Sequence, residues 1–107
     1  MIVFLSGKIS DPDLDQVQRN RLEFTFVKNQ IKRIAPDCVV INPATLPLGM
    51  KHDQYMKICF AMVDVCDVLV RLPGCDKSLG VSMETEYAQS IGKIVMSHDE
   101  VMKYGFR

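Results

Sequence analysis

The chain alternates short apolar runs with longer stretches in which apolar residues recur every three or four positions. Ile2 to Ser6 reads as a first strand that ends at Gly7. Asp15 to about Ala35 carries helical periodicity and is stopped by Pro36, because a proline ring cannot continue a helix. Cys38 to Ile41 is a second apolar strand ending in Asn42-Pro43, followed by a loop holding Pro43, Pro47 and Gly49. His52 to Cys66 is a second helix, and Asp67 to Leu72 a third strand closed by Pro73-Gly74. Val81 to Ile91 is a third helix with Gly92 just past its end, a position that favours glycine. Lys93 to Met96 is a fourth strand, and Asp99 to Tyr104 a short last helix.

Strands and helices in alternation predict an α/β fold: a three-layer sandwich with a central parallel sheet of four to five strands, flavodoxin- or Rossmann-like. The short run Cys38 to Ile41 lacks polar alternation, which suits a strand buried on both faces. With no internal repeat and no linker, residues 1–107 form a single domain. In such sheets ligands bind where the strands end and the strand order reverses. Three strand ends carry unusual residues: Gly7-Lys8-Ile9-Ser10, Asn42-Pro43-Ala44, and the segment from Pro73 to Gly80. Their convergence predicts a small-molecule site.

One carboxylate breaks the hydrophobic pattern. At about 100° per residue, with Met83 at zero, Tyr87 falls near 40°, Ile91 near 80° and Ala88 near 140°. Glu84 falls at about 100°, inside that apolar arc, whereas Glu86 falls near 300° among Thr85, Gln89 and Ser90. Glutamate is rarely buried unless paired or functional. Two readings stay open: a first-turn acid complementing the helix dipole, or a carboxylate held at a site by the glycine-rich turn before it. Burial decides between them.

Composition narrows the classes of function. Thirteen basic residues balance thirteen acidic ones, which argues against a nucleic-acid duplex as partner. No run approaches the length of a membrane span, and Met1 to Leu5 is too short for a signal-peptide core, so the expected location is cytoplasmic. Cys38, Cys59, Cys66 and Cys75 form no C-x-x-C pair and have no histidine at ligand spacing. No metal and no cofactor are expected, and the cysteines read as free thiols. Cys75, in the loop after the third strand, is the one expected to react. The turn after the first strand is not G-x-G-x-x-G, which speaks against a dinucleotide oxidoreductase.

The helices suggest association. Phe24, Val27, Ile31 and Ile34 form an inward stripe on the first helix, with Leu22 and Phe26 on the opposite side. In the second helix Tyr55, Met56, Ile58, Cys59, Phe60, Met62 and Val63 spread over about 200°, more than one sheet face requires. A homodimer or higher homo-oligomer is expected, unless the C-terminal segment Val101 to Phe106 folds over these faces.

The stretch Ser78-Leu79-Gly80-Val81-Ser82-Met83-Glu84 resembles the S-x-G-x-x-x-E signature of the nucleoside 2-deoxyribosyltransferase-like superfamily. Cys66-Asp67, Leu72-Pro73-Gly74, Phe4 to Ser10, Ile41 to Ala44 and Tyr55-Met56 are similar to a small branch common in phages and bacteria, without an assigned function. The resemblance covers nearly the whole chain. It implies that Glu84 is a nucleophile attacking C1′ of a nucleoside or nucleotide, forming a glycosyl ester as retaining glycosidases do. It implies substrate contacts at Ser78, Gly80, Gly7, Lys8, Ser10 and Asn42, and a dimer in which one subunit helps complete its neighbour's pocket. Ser78 read by itself is equally a turn or capping residue.

Two positions depart from the superfamily pattern. Phe4 stands where active members have a tyrosine that orients the nucleophile, and Cys59 stands where they have an aspartate that handles the base. Cys59 by periodicity is a packing residue, with Asp53 or Asp76 as substitutes for the acid. Two functions follow: cleavage or transfer of the N-glycosidic bond of a (deoxy)nucleoside or its 5′-monophosphate, or a non-catalytic nucleotide-binding or sensor module on the same fold.

Overall fold

In the computed structural model, which describes residues 1–106, strands β1 (Ile2–Ser6), β2 (Val39–Ile41), β3 (Val68–Arg71) and β4 (Ile94–Ser97) form one sheet. All neighbours pair in parallel in the order β2-β1-β3-β4. Parallel neighbours need crossovers, which helices α1 (Leu14–Ile34), α2 (His52–Val65) and α3 (Leu79–Ser90) supply, and α4 (His98–Tyr104) follows β4. Each helix begins where a local partner ends an extended segment. Asp13 accepts the Asp15 N–H at the start of α1, and Ser97 and Glu100 bond reciprocally at the start of α4.

The pleat divides the strands between two cores. Val3, Leu5, Val68 and Val70 face Phe24, Val27 and Ile31 of α1 and Val101 of α4. Phe4 and Leu69 face Cys59 and Val63 of α2 and Ala88 of α3. The result is the expected three layers, with every one of these side chains withdrawn from water. Full burial of a valine, leucine or phenylalanine is worth about 1.5–3 kcal/mol each.

Several sequence expectations need correction. β2 is an edge strand, so Val39 is exposed rather than buried between helices. Ile34 is 48% exposed although it continues the inward stripe. The 21-residue α1 is about 31 Å long, whereas a five-residue strand spans about 17 Å, so the helix overhangs the sheet. Ile91 is also exposed, because α3 ends at Ser90 and Ile91 already belongs to the turn. On α2 part of the wide apolar arc is used within the chain. Met62 packs against the core and Phe60 meets Tyr87 of α3 with ring centroids 4.8 Å apart. Leu22 and Phe26 are exposed on α1, as their periodicity indicated.

No helix among the described residues is long and apolar enough to cross a membrane.

Candidate functional site

The strand order places a crossover reversal between β1 and β3. From β1 the chain moves to β2 on one side, then crosses to β3 on the other. Loops leaving β1 and β3 therefore diverge, and a crevice opens at their C-terminal ends. A cavity of about 530 Å³ lies there. Its walls come from the loop after β1 (Gly7 to Asp11), the overhanging start of α1 (Leu14, Val17, Arg21), the loop after β2 (Pro43 to Met50), α2 (His52, Tyr55, Met56, Cys59), and the start of α3 (Lys77 to Gly80, and Glu84).

Glu84 lines this cavity and is only 6% exposed. The dipole explanation of its position loses force, because α3 begins at Leu79 and not at Val81. Glu84 thus sits in the second turn, past the reach of the helix terminus. It faces the sheet one turn before Ala88, which is wholly buried against it. The Ser6 hydroxyl, at the end of β1, donates to Glu84 Oε1 at 2.6 Å. Burial pushes the Glu84 carboxyl above its ordinary value, and the Ser6 hydroxyl and Cys59 thiol, as donors, draw it partly back.

The same contact fixes the state of Cys59. Burial, then the neighbouring Glu84 charge and its hydrogen bond, push the thiol up to about 12. Cys59 therefore stays protonated and is a donor rather than a competing nucleophile. Phe4 lies fully buried beneath the site and does not line the cavity.

The other sequence-derived residues divide into two groups. Gly7, Lys8, Ser10, Ser78 and Gly80 are brought together with Glu84. Gly7 is there for space: a Cβ would meet Leu72 Cβ, Leu72 Cδ2 and Phe24 Cζ, each at 3.1 Å. Lys8 pairs with Asp11 at 3.5 Å. Ser78 caps α3 through the Val81 N–H at 3.4 Å. Gly80 lies inside the first turn, not in a turn before the helix, and a Cβ there would meet only ordinary contacts. The first intrahelical bond runs from the Ser82 N–H to the Ser78 carbonyl, so the Leu79 and Gly80 amides have no partner within the helix.

Asn42 is not on the cavity wall. Its side-chain oxygen accepts the Ala44 N–H at 2.9 Å and starts the short 3-10 turn Pro43–Thr45. Asp53 does not line the cavity either, and Asp76 lies elsewhere. The segment Arg71 to Asp76 lines a separate crevice of about 250 Å³, shared with Ser97, His98 and Asp99. Cys75 belongs to that crevice and is 5% exposed, so it is not the accessible thiol its loop position suggested. Gly74, just before it, takes the left-handed conformation that glycine adopts at no steric cost.

Two wall residues, Arg21 and Lys77, and Ser6 behind Glu84 were not picked out individually in the sequence. Ser6 completes the carboxylate contact. Arg21 reaches across from α1, its guanidinium donating to the Leu46 carbonyl at 3.0 Å. Lys77 adds a second cation beside Ser78. Arg21 carried a usable signal: it lies about 40° from Val17 on the wheel, at the border of an otherwise apolar stripe. Tyr55 braces the facing loop, its hydroxyl donating to the Pro47 carbonyl at 2.6 Å. Lys8, Arg21 and Lys77 outnumber the carboxylates Asp11 and Glu84 along these walls, so the cavity suits an anionic ligand. No cluster of histidine, cysteine and carboxylate fit to hold a metal occurs among the described residues.

Comparison with known proteins agrees with this architecture. The family model described as a domain of unknown function, DUF4406, matches residues 1–97. No curated protein matches the sequence. Among solved structures, the Clostridium botulinum CMP N-glycosidase BcmB is similar in fold. The TM-score is 0.57 and the identity 20%, over 91% of this chain and 70% of that one.

Proposed function

We propose that this chain, which belongs to the DUF4406 family of domains of unknown function, cleaves or transfers the N-glycosidic bond of a nucleoside or its 5′-monophosphate through Glu84. The observation that carries this reading is a carboxylate buried at the wall of the switch-point cavity, bonded by a hydroxyl donor and beside a thiol, with no cation paired to it among the described residues. A buried acid of that kind is costly to keep, and such groups cluster at reacting sites. The fold likeness to a CMP N-glycosidase supports the substrate class.

In the first step a Glu84 oxygen bonds to C1′ as the C1′–N bond breaks. The electron pair leaves with the base, which takes a proton from water. In the second step water attacks C1′, displaces the Glu84 carboxylate and yields the free sugar; a second base in place of water gives transfer. The wall residues would hold the rest of the substrate. Gly7, Lys8 and Ser10 line the cavity together with Ser78, Gly80 and Lys77, and the amides of Leu79 and Gly80, unpaired within the helix, suit a phosphate. Asn42 acts indirectly, by shaping the loop after β2. Pairing of two copies through the exposed Leu22 and Phe26 belongs to the same reading, as does a reducing cytoplasmic location, which four free cysteines suit.

A second reading has its own observation. Phe4 supplies no hydroxyl and Cys59 no carboxylate, so the pocket also fits a module that binds nucleotides without turnover. Incubation with a panel of nucleosides and 5′-monophosphates separates the two. Free base detected by chromatography supports the enzyme; thermal stabilisation without release supports the binder.

A further inference from the structure

We propose that Ser6 is the positioning residue for Glu84: its hydroxyl holds Oε1 and thereby leaves Oε2 as the oxygen presented to substrate. This inference rests on the reading of Glu84 as nucleophile, but its structural basis is separate.

Ser6 is a polar residue with no exposed surface at the end of a central strand. The pleat puts it on the face of Phe4, toward α3. Its main chain is clamped by register with Arg71 of β3, and its carbonyl accepts the Leu72 N–H at 2.8 Å. The hydroxyl therefore starts from a fixed backbone. The receiving end is fixed as well, because Ala88 is packed against the sheet and the Tyr87 hydroxyl bonds Asp64 of α2. A donor and an acceptor 78 residues apart in sequence thus meet at 2.6 Å between two rigid elements. Preorganised donors of this kind cost no rearrangement during reaction. Cys59 lies against the same carboxylate, but a thiol is a weak donor and cannot replace the hydroxyl.

A group that only filled space would act on Glu84 through burial and hold its carboxyl up, whereas a hydroxyl donor draws it down, so losing the donor raises it. The test therefore follows the Glu84 carboxyl by carbon NMR titration, assigned by its loss in Glu84→Gln, in the wild-type protein, Ser6→Ala and Ser6→Cys. Ser6→Ala should titrate at higher pH than wild type, and Ser6→Cys, which keeps a weak donor, should lie between. Base release by Ser6→Ala should fall about tenfold to a hundredfold in kcat, with KM within about twofold. Unchanged Glu84 titration in Ser6→Ala overturns the proposal, whether or not turnover is found. Unchanged kcat in an active protein also overturns it. If Ser6→Ala does not fold, Ser6→Cys carries the same comparison against wild type. Absence of base release in wild type would sink the enzyme reading alone, while the titration would still decide the role of Ser6.

Discussion

The sheet ends in two crevices, and they treat charge in opposite ways. Between β1 and β3 the crevice encloses about 530 Å³ and keeps a carboxylate 6% exposed, held by neutral donors. Between β3 and β4 the crevice encloses about 250 Å³, and its Asp76 side chain is 89% exposed with Arg71 3.2 Å away. The first lies where the crossovers reverse direction; at the second the chain simply continues from β3 to β4. Asp76 has water and a cation for company, so its charge costs little. Glu84 has neither. So expensive a group at the point where the loops diverge is what singles out Glu84 for the proposed chemistry, whereas an ion pair at a rim is ordinary surface.

Substitutions sharpen this contrast, beginning with the largest effect. Glu84→Gln should reduce base release by at least about a thousandfold, while Asp76→Asn leaves it unchanged. Equal losses would erase the distinction between the crevices. Acidity gives the same contrast a thermodynamic form. Because the Glu84 carboxyl is raised in the folded state, the folded protein holds that proton more tightly than the unfolded chain. Its contribution to stability is complete below the ordinary glutamate value and is lost as pH rises through the raised one. Glu84→Gln should therefore raise the thermal midpoint more at about pH 8 than at about pH 4, roughly 4 °C for each kcal/mol recovered. The rate of base release should fall as pH is lowered through the raised value, since only the carboxylate attacks.

Thiol reactivity is the next largest difference. Cys59, at about 12 against an ordinary 9.0, should be modified about a thousandfold more slowly than a free thiol. Cys75 is buried in the smaller crevice, and burial raises its thiol too, so titration of the native protein should find no fast thiol. Rapid labelling of Cys75 would show that the smaller crevice opens readily. Gly7→Ala forces a methyl to within 3.1 Å of Leu72 and Phe24 and should cost about 1–3 kcal/mol in denaturant unfolding. Asp76→Ala, by contrast, should cost no more than about 1 kcal/mol.

The architecture was legible because periodicity reports which side chains face a core. The α/β alternation and the anomaly of Glu84 both follow from that one signal, and the unusual residues at the strand ends added the position of the candidate site. What it could not report was three-dimensional reach. Ser6 looks like an ordinary strand end until α3 delivers Glu84 to it. Asn42 looks like a ligand contact until its side chain folds back onto Ala44. Cys75 looks exposed in a loop of glycine, proline and charge, yet it is buried against the smaller crevice. The excess apolar arc of α2 suggested a partner, but α3 and the sheet together absorb much of it. Phe26 and Leu22 have no such cover among the described residues, so sedimentation should still report a dimer if they pair. Capping also moved a boundary: Ser78 starts α3 earlier than the apolar pattern begins, and this shift takes Glu84 out of the first turn.

The central claim is a covalent bond at Glu84, and mass spectrometry can see it. The protein is mixed with a nucleotide that it hydrolyses, quenched in acid during turnover, digested and mapped. The account predicts a peptide containing Glu84 heavier by one sugar or sugar phosphate less water, absent from Glu84→Gln. Steady base release with that peptide unmodified, or release that persists in Glu84→Gln, would contradict it.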